Sequence, residues 1–522
     1  MPNYFKKDLI SYDECTNAVV SNNLYRDAFP PRLRLNSLTD EYQGWKEGPD
    51  WQHIPPLFLY VPLPFYYLDG ELSIETRRLS YVWMALMQSL IFIIGIALLF
   101  KEKRAILIAA LAAYLWTITP FTRGVLNGNY FGYSDIVLSF SVTLSLLLSI
   151  GLFQNIRRNN AIKGHLLALA ITAATIPLLV KNVLGALPLL FLMVILIKGV
   201  RAQRIKTQEI LLALFIPIVL CLLYYGASYW KSPEAFKAEF FVSFYHFGNY
   251  EGWKEPWHYF VSYYLPNRYF YFMWWPFVIG FFASLSLWSQ LKKEKQKAVL
   301  TFFLLYFIGN LLAVSIVTSK SPNFILQGYL FILFFVLYLL WDKIIETIPE
   351  LKFTLLIEKL YEFRWSIGIV TFSLAMVMIA GNIYKMKLLR NESYNYATQN
   401  ERFYEFGERC HDVLYADIRS LFILDTDSLS YADSLVWKDP DYWMRYYILF
   451  HSGSEARRLE EIKAFNEEFD VYSTIKKKYN KVYLVTSPAL LQSKYINSSK
   501  GFDRIGHYQV KIIRNEEIKA LL

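Results

Sequence analysis

Apolar residues in this chain gather into long unbroken stretches, each set off by a short charged or loop-like tract. About ten can be marked: Tyr81–Phe100, Ala105–Phe121, Ser134–Phe153, His165–Val180, Val183–Ile197, Ile210–Tyr229, Phe270–Leu287, Ala298–Val317, Phe324–Trp341 and Trp365–Asn382. A helix rises 1.5 Å per residue, so roughly twenty apolar residues cross the ~30 Å hydrocarbon core of a bilayer. Lipid offers no partner to backbone N–H and C=O groups, so each stretch must be helical. The pattern predicts a multi-pass α-helical membrane domain of about ten helices over residues 81–383. The two stretches flanking Lys181-Asn182 are short, which predicts tilted helices or a re-entrant one.

The flanks read differently. Residues 1–80 are polar but carry tryptophans, prolines and the Pro-interrupted aromatic run Phe58–Leu68, the composition of helices lying in a membrane interface. Residues 384–522 have ordinary soluble composition. Ser420–Leu424 and Lys481–Val485 read as short buried strands, and Tyr442–Phe450 and Glu455–Asn466 as helices. A small extramembrane α/β domain follows the helices.

Charge adds sidedness. The net charge is +10 over 522 residues. The cations sit in short tracts between spans, which the positive-inside rule explains without nucleic acid. Lys101–Arg104, Arg157–Lys163, Lys198–Lys206, Lys292–Lys297 and Asp342–Arg364 fall in alternate loops. With these in the cytoplasm, the intervening loops, residues 1–80 and residues 384–522 lie outside, in a bacterial plasma (inner) membrane. No span precedes residues 1–80, so one further helix upstream is expected. Cys15, Cys221 and Cys410 are too dispersed for a disulfide framework.

Candidate chemistry collects in the outer loops. Asp13-Glu14 is an acidic pair; such pairs are ordinarily just solvated, and it gains interest from its company. His53 stands before a rigid Pro55-Pro56 turn. Arg123 follows Pro120, and Asp135 lies just inside the next span, where an ionisable group is costly. Lys181 interrupts two apolar stretches, as a catalytic cation or a snorkelling anchor. His258 and Arg268 lie in the long outer loop, and Lys320 breaks two later spans. Cations at a membrane boundary suit a lipid phosphate, and a carboxylate suits deprotonation of an attacking hydroxyl or amine. Together they describe group transfer from a lipid-phosphate donor.

The order of these motifs is familiar. The acidic pair, the Pro-Pro-Leu turn, Gly70, Arg78-Leu79, Pro120…Arg123…Asp135, Lys181…Gly185…Leu187-Pro188, Glu255-Pro256-Trp257-His258-Tyr259 and Ser319–Leu326 resemble the C-type superfamily of membrane glycosyltransferases. The branch resembled contains protein O-mannosyltransferases and the aminoarabinose transferase acting on lipid A. The resemblance implies an inverting hexosyl or pentosyl transferase using a polyprenyl-phosphate sugar on the extracytoplasmic face. Its acceptor would be a protein, lipid or polysaccharide. Asp13 would be the base and Glu14 its partner. Arg123, Lys181, Arg268 and Lys320 would hold the donor phosphate, with His53, Asp135 and His258 as further site candidates. No cofactor is assigned, and His53, His258 and the acidic pair could bind a divalent metal ion. The alternatives are a lipid-linked glycan ligase and a membrane transporter; no internal repeat of the transporter kind is present.

Overall fold

The computed structural model describes residues 12–27, 56–70, 72–119, 133–158, 164–226, 255–270, 274–316, 322–347, 403–426, 440–468, 470–495 and 500–522, with a few isolated positions between them. The chain forms two compact units. The first comprises Met1–Ser80, Ser228–Glu239 and Asn391–Leu522; the second comprises Tyr81–Ala227 and Phe240–Arg390.

The second unit is helical. Among the described residues six helices are long and apolar enough to cross a membrane: Ile74–Phe100, Ser134–Arg157, Leu184–Arg201, Thr207–Gly226, Glu294–Ile316 and Asn323–Trp341. Gly164–Leu179 and Phe277–Gln290 are shorter apolar helices, and the expected span at Ala105–Phe121 is the sixteen-residue helix Lys103–Ile118. Trp365–Asn382 lies outside the described residues. The chain is a multi-pass membrane protein. In the order used below, the helices of this stretch are α3 (Ile74–Phe100), α4 (Lys103–Ile118), α5 (Tyr133–Arg157), α6 (Gly164–Thr175), α7 (Asn182–Arg201), α8 (Thr207–Cys221), α9 (Trp274–Gln290), α10 (Glu294–Ile316) and α11 (Leu326–Thr347). Preceding them are α1 (Tyr12–Asp27) and α2 (Leu63–Asp69).

Bulky rings fill the middle of this unit. Phe92, Phe303, Phe331 and Phe334 meet mostly edge to face or tilted, at centroid distances of 4.9 to 6.1 Å, the arrangement ring quadrupoles favour. A second cluster joins α5 to α8 through Ile156, Leu167, Ile171, Leu192 and Ala213.

The loops sort to two ends of the helices. At one end Glu102 binds Lys293 Nζ at 3.0 Å and accepts from the hydroxyl of Tyr338 at 3.2 Å, while Arg157 pairs with Glu294 at 2.9 Å. Three of the basic tracts therefore meet. Lysine, arginine and burial act on Glu102 in opposite senses. Desolvation is the largest influence and raises its pKa, but the combined pull of Lys293, Arg104 and Tyr338 leaves it below the ordinary carboxylate value. Asp135, Lys181 and Asn323, from the intervening loops, meet at a separate point.

In the first unit, the Phe58–Leu68 run forms a short 3-10 helix, Pro56–Tyr60, followed by α2, which ends on Gly70 with a φ of 77°. Tyr66 and Tyr67 of α2 pack their rings on Tyr25 of α1, at 6.0 and 4.8 Å.

The C-terminal part of this unit is a five-stranded sheet in the order β2-β1-β3-β5-β4. The strands are β1 (Ser420–Asp425), β2 (Glu455–Arg458), β3 (Lys481–Thr486), β4 (Asp503–Ile505) and β5 (Tyr508–Ile512). β1 runs parallel to both β2 and β3, with Leu421 opposite Val482 and Ile423 opposite Leu484; β5 is antiparallel to β3. A helix over residues 403–412 is α12, Pro440–Ser452 is α13, Leu459–Glu468 is α14 and Val471–Lys478 is α15. One face of the sheet buries Leu421, Ile423, Val482 and Leu484 against Ile462 of α14 and Ile475 of α15.

One expectation fails here. Glu455–Arg458 is not the start of a helix but the strand β2, with all four residues buried. Its charges hide because they are satisfied. Arg457 Nε lies 2.6 Å from Glu455 Oε1, and Glu455 Oε2 accepts from the Leu38 amide at 3.0 Å and from the Tyr479 hydroxyl at 3.3 Å. The helix begins at Leu459.

Cys410 is a free, buried thiol, and burial pushes its pKa well above the usual value. The thiolate is the reactive form. Cys410 should therefore resist iodoacetamide in the folded protein at pH 8 and react once detergent unfolding exposes it. Mass spectrometry of the modified peptide reads the result; full labelling of the native protein would contradict this burial.

Candidate functional site

In the first unit the acidic pair opens α1. The backbone of Asp13 lies in the first helical turn; its side chain is outside the described residues. Glu14 is buried at 2% exposure and faces Arg78, fully buried at the start of α3. The contact is bidentate: Arg78 Nε donates to Glu14 Oε1 at 2.9 Å, and Nη2 donates to Oε2 at 3.2 Å. Fork-to-fork pairing fixes orientation as well as position. It also fixes what Glu14 can do. A carboxylate whose two oxygens are both held by a buried guanidinium cannot take a proton from an acceptor without breaking that pair.

The pairing explains why α3 begins at Ile74, seven residues before the expected span. Arg77 and Arg78 are both fully buried, so the helix continues through charges that the hydropathy pattern excluded. Two adjacent arginines abutting an apolar run were the available signal, since arginine is almost never fully buried unless paired.

In the second unit Lys181 and Asp135 come together. Lys181 Nζ donates to Asp135 Oδ1 at 2.8 Å, and Asn323 Nδ2 donates to Asp135 Oδ2 at 3.0 Å. The ammonium also lies 4.5 Å from the centre of the Phe324 ring, a cation–π contact. Asp135 is almost completely buried and stands in the first turn of α5, where the helix dipole favours an anion. Lys181 keeps one-fifth of its side-chain surface exposed. An ammonium carries three N–H donors, and one serves Asp135.

Backbone geometry holds Lys181 there. After α6 the chain tightens into a 3-10 turn, Ile176–Leu179, and Lys181 is extended at φ −157° before α7 starts. The Lys181 amide donates to Pro177 O at 2.9 Å, and Gly185 N donates to Lys181 O at 2.7 Å. A Cβ on Gly185 would stand 2.1 Å from Pro177 O and 2.3 Å from its carbonyl carbon. Only glycine allows α7 to lie this close to the turn.

His258 is exposed, and its Nδ1 lies 3.1 Å from Ser262 Oγ, one helical turn on. Arg268 belongs by its backbone to the π-helical segment Phe260–Phe270, with its side chain outside the described residues. His53, Arg123 and Lys320 fall outside the described residues altogether. Among the described residues no group of three His, Cys, Asp or Glu side chains is placed to hold a metal ion. Glu14 is committed to Arg78. Arg78 and Asn323 are the functional contacts that residue-by-residue reading passed over.

The chain shares its fold with a solved membrane protein. The structure of ArnT from Cupriavidus metallidurans bound to undecaprenyl phosphate superposes with a TM-score of 0.54, covering 98% of this chain and 95% of that one, at 14% sequence identity. The apo form of the same protein gives a TM-score of 0.47 at 13% identity, again over 98% and 95% of the two chains. The archaeal oligosaccharyltransferase AglB from Archaeoglobus fulgidus, in complex with an inhibitory peptide and a dolichol-phosphate, also gives 0.47 at 13% identity, over 98% of this chain and 71% of its own. No protein-family model matches the chain, and no curated protein sequence matches it.

Proposed function

We propose that this chain is a membrane glycosyltransferase that moves a sugar from a polyprenyl-phosphate carrier to an acceptor on the extracytoplasmic side of the membrane. The observation that carries the reading is the Asp135–Lys181–Asn323 cluster, a partly exposed ammonium held where two membrane helices are interrupted. The shared fold supports it, because the ArnT structure that superposes on this chain is bound to undecaprenyl phosphate. The meeting of three basic tracts around Glu102 and Glu294 supports a cytoplasmic assignment for that end by the positive-inside rule.

The reaction needs few groups. The acceptor hydroxyl attacks the anomeric carbon of the donor sugar. The new C–O bond forms as the bond to the phosphate oxygen breaks on the opposite face, inverting the centre. Asp13 takes the acceptor proton, and the lipid phosphate leaves as an anion. That anion gains charge during the step, so fixed cations lower the barrier. Lys181 serves this role with Arg123, Arg268 and Lys320 as further phosphate ligands. Asp135 orients Lys181, and Glu14 holds the first turn of α1 in place.

The test is transfer in reconstituted vesicles supplied with radiolabelled polyprenyl-phosphate sugars and crude envelope acceptors. Label should move from lipid to acceptor, and added undecaprenyl phosphate should compete. Transfer of a whole lipid-linked oligosaccharide instead would make the chain a glycan ligase. Solute uptake without any transfer would overturn the reading in favour of a transporter.

A further inference from the structure

The C-terminal sheet unit has no assigned task, yet its contacts with α1 are unusually specific. α13 ends at Ser452 and the chain turns at Gly453, whose φ is +71° and whose amide donates to Leu449 O at 2.9 Å. The last carbonyls of a helix lack intrahelical donors and carry the negative end of its dipole. Here they are met by one guanidinium from α1. Arg26 Nη2 donates to His451 O at 2.8 Å and to Phe450 O at 3.0 Å. Its Nη1 reaches Leu449 O at 3.5 Å and Asn23 Oδ1 at 3.1 Å. Asn22 Nδ2 adds a bond to Phe450 O at 3.2 Å. A Cβ on Gly453 would lie 3.1 Å from Ile418 Cγ2 and 3.3 Å from Arg26 Nη1.

α1 is therefore held at both ends. Glu14 fixes its first turn through Arg78, and Arg26 fixes its last turn on the end of α13. Between them Ala18, Val19 and Val20 are fully buried. A sixteen-residue helix fastened twice has no freedom to slide or rotate about its axis.

We propose that the C-terminal domain is a positioning device for the catalytic carboxylate, and that Arg26, seated on the carbonyls ending α13, is the positioning residue through which it acts. The proposal rests on the reading of Asp13 as the base. Arg26 touches neither donor nor acceptor. It acts by setting where the first turn of α1 stands, and misplacing a reacting group by about 1 Å can cost roughly a hundredfold in rate.

The experiment uses the full chain in vesicles, as Arg26→Met, Arg26→Lys and parent. Arg26→Met is expected to lower kcat for sugar transfer by about ten- to a hundredfold while KM for the lipid donor stays within about twofold. Arg26→Lys, which keeps one cationic donor group on the carbonyls, should restore part of the loss. Amide hydrogen exchange over residues 18–24 should quicken in Arg26→Met while that of β1 and β3 stays protected, which separates a released α1 from an unfolded domain. Unchanged kcat with unchanged exchange overturns the proposal, as does a loss accompanied by exchange throughout β1 and β3. Should the parent transfer no sugar, the reading of function fails by itself. The exchange comparison then decides the clamp alone: quickening confined to α1 upholds it and no change overturns it.

Discussion

Asp13→Asn is expected to lower sugar transfer by about two to four orders of magnitude, the range ordinarily supplied by a positioned general base, with yield and thermal unfolding unchanged. Glu14→Gln is expected to fail differently. Glu14 and Arg78 are 2% and 0% exposed, so neutralising one leaves the other charge buried without its counter-charge. Breaking such a pair from one side typically costs about 3–5 kcal/mol. Glu14→Gln and Arg78→Met should therefore be poorly produced and unfold at lower temperature, and their residual folded fraction should transfer more slowly because the first turn of α1 is no longer fastened. Restoring both partners' shape without charge, as Glu14→Gln with Arg78→Met, should recover part of the lost stability. Thermal unfolding in detergent and transfer per folded molecule separate the cases. Full activity in Asp13→Asn would end the base assignment, and a fully stable Arg78→Met would end the structural assignment of Glu14.

Gly185→Ala should be the most damaging single-methyl change in the membrane unit. The new Cβ runs into the Pro177–Leu178 peptide group, at 2.1 Å from Pro177 O, 2.3 Å from Pro177 C and 2.7 Å from Leu178 N. No flexible side chain can give way, so α7 must move off the turn. Overpacking ordinarily costs about 1–3 kcal/mol, and this contact belongs at or above the top of that range. Moving α7 also breaks the bond from the Gly185 amide to the Lys181 carbonyl, so the ammonium should lose its place beside Asp135 and transfer should fall with stability. Gly151→Ala is the matched control, because a Cβ at Gly151, within α5, meets nothing within 4 Å. Equal melting of the two variants would refute the close approach.

The membrane helices were legible because hydropathy is a local property. An apolar run carries its own instruction, and nine of the ten marked stretches coincide with helices of the second unit, while Trp365–Asn382 lies outside the described residues. Legibility failed where charge was cancelled by a distant partner. Glu455-Ala456-Arg457-Arg458 reads as a helix start because two arginines and a glutamate belong on a surface, yet β2 is buried, its charges met by one another, by Glu461 and by Leu38 and Tyr479. Arg77 and Arg78 misled in the same way and displaced the expected start of α3. The site was half legible. Lys181 and Asp135 each stood out as ions near apolar stretches, but only the fold joins them 46 positions apart. The seat of Arg26 had no sequence signal, because its partners are backbone carbonyls, which no side-chain pattern records.

The contact between Asn22 and Phe450 spans 428 positions. During synthesis the first turn of α1 is made near the beginning, and the helix end that seats Arg26 emerges only after the six described spans. Until then α1 lacks its second fastening, and closing so long a loop is slow. A half-made chain thus already carries α1 and its pairing of Glu14 with Arg78, but not the second fastening. The fixed setting of α1 therefore arrives late, with the last part of the polypeptide to be made.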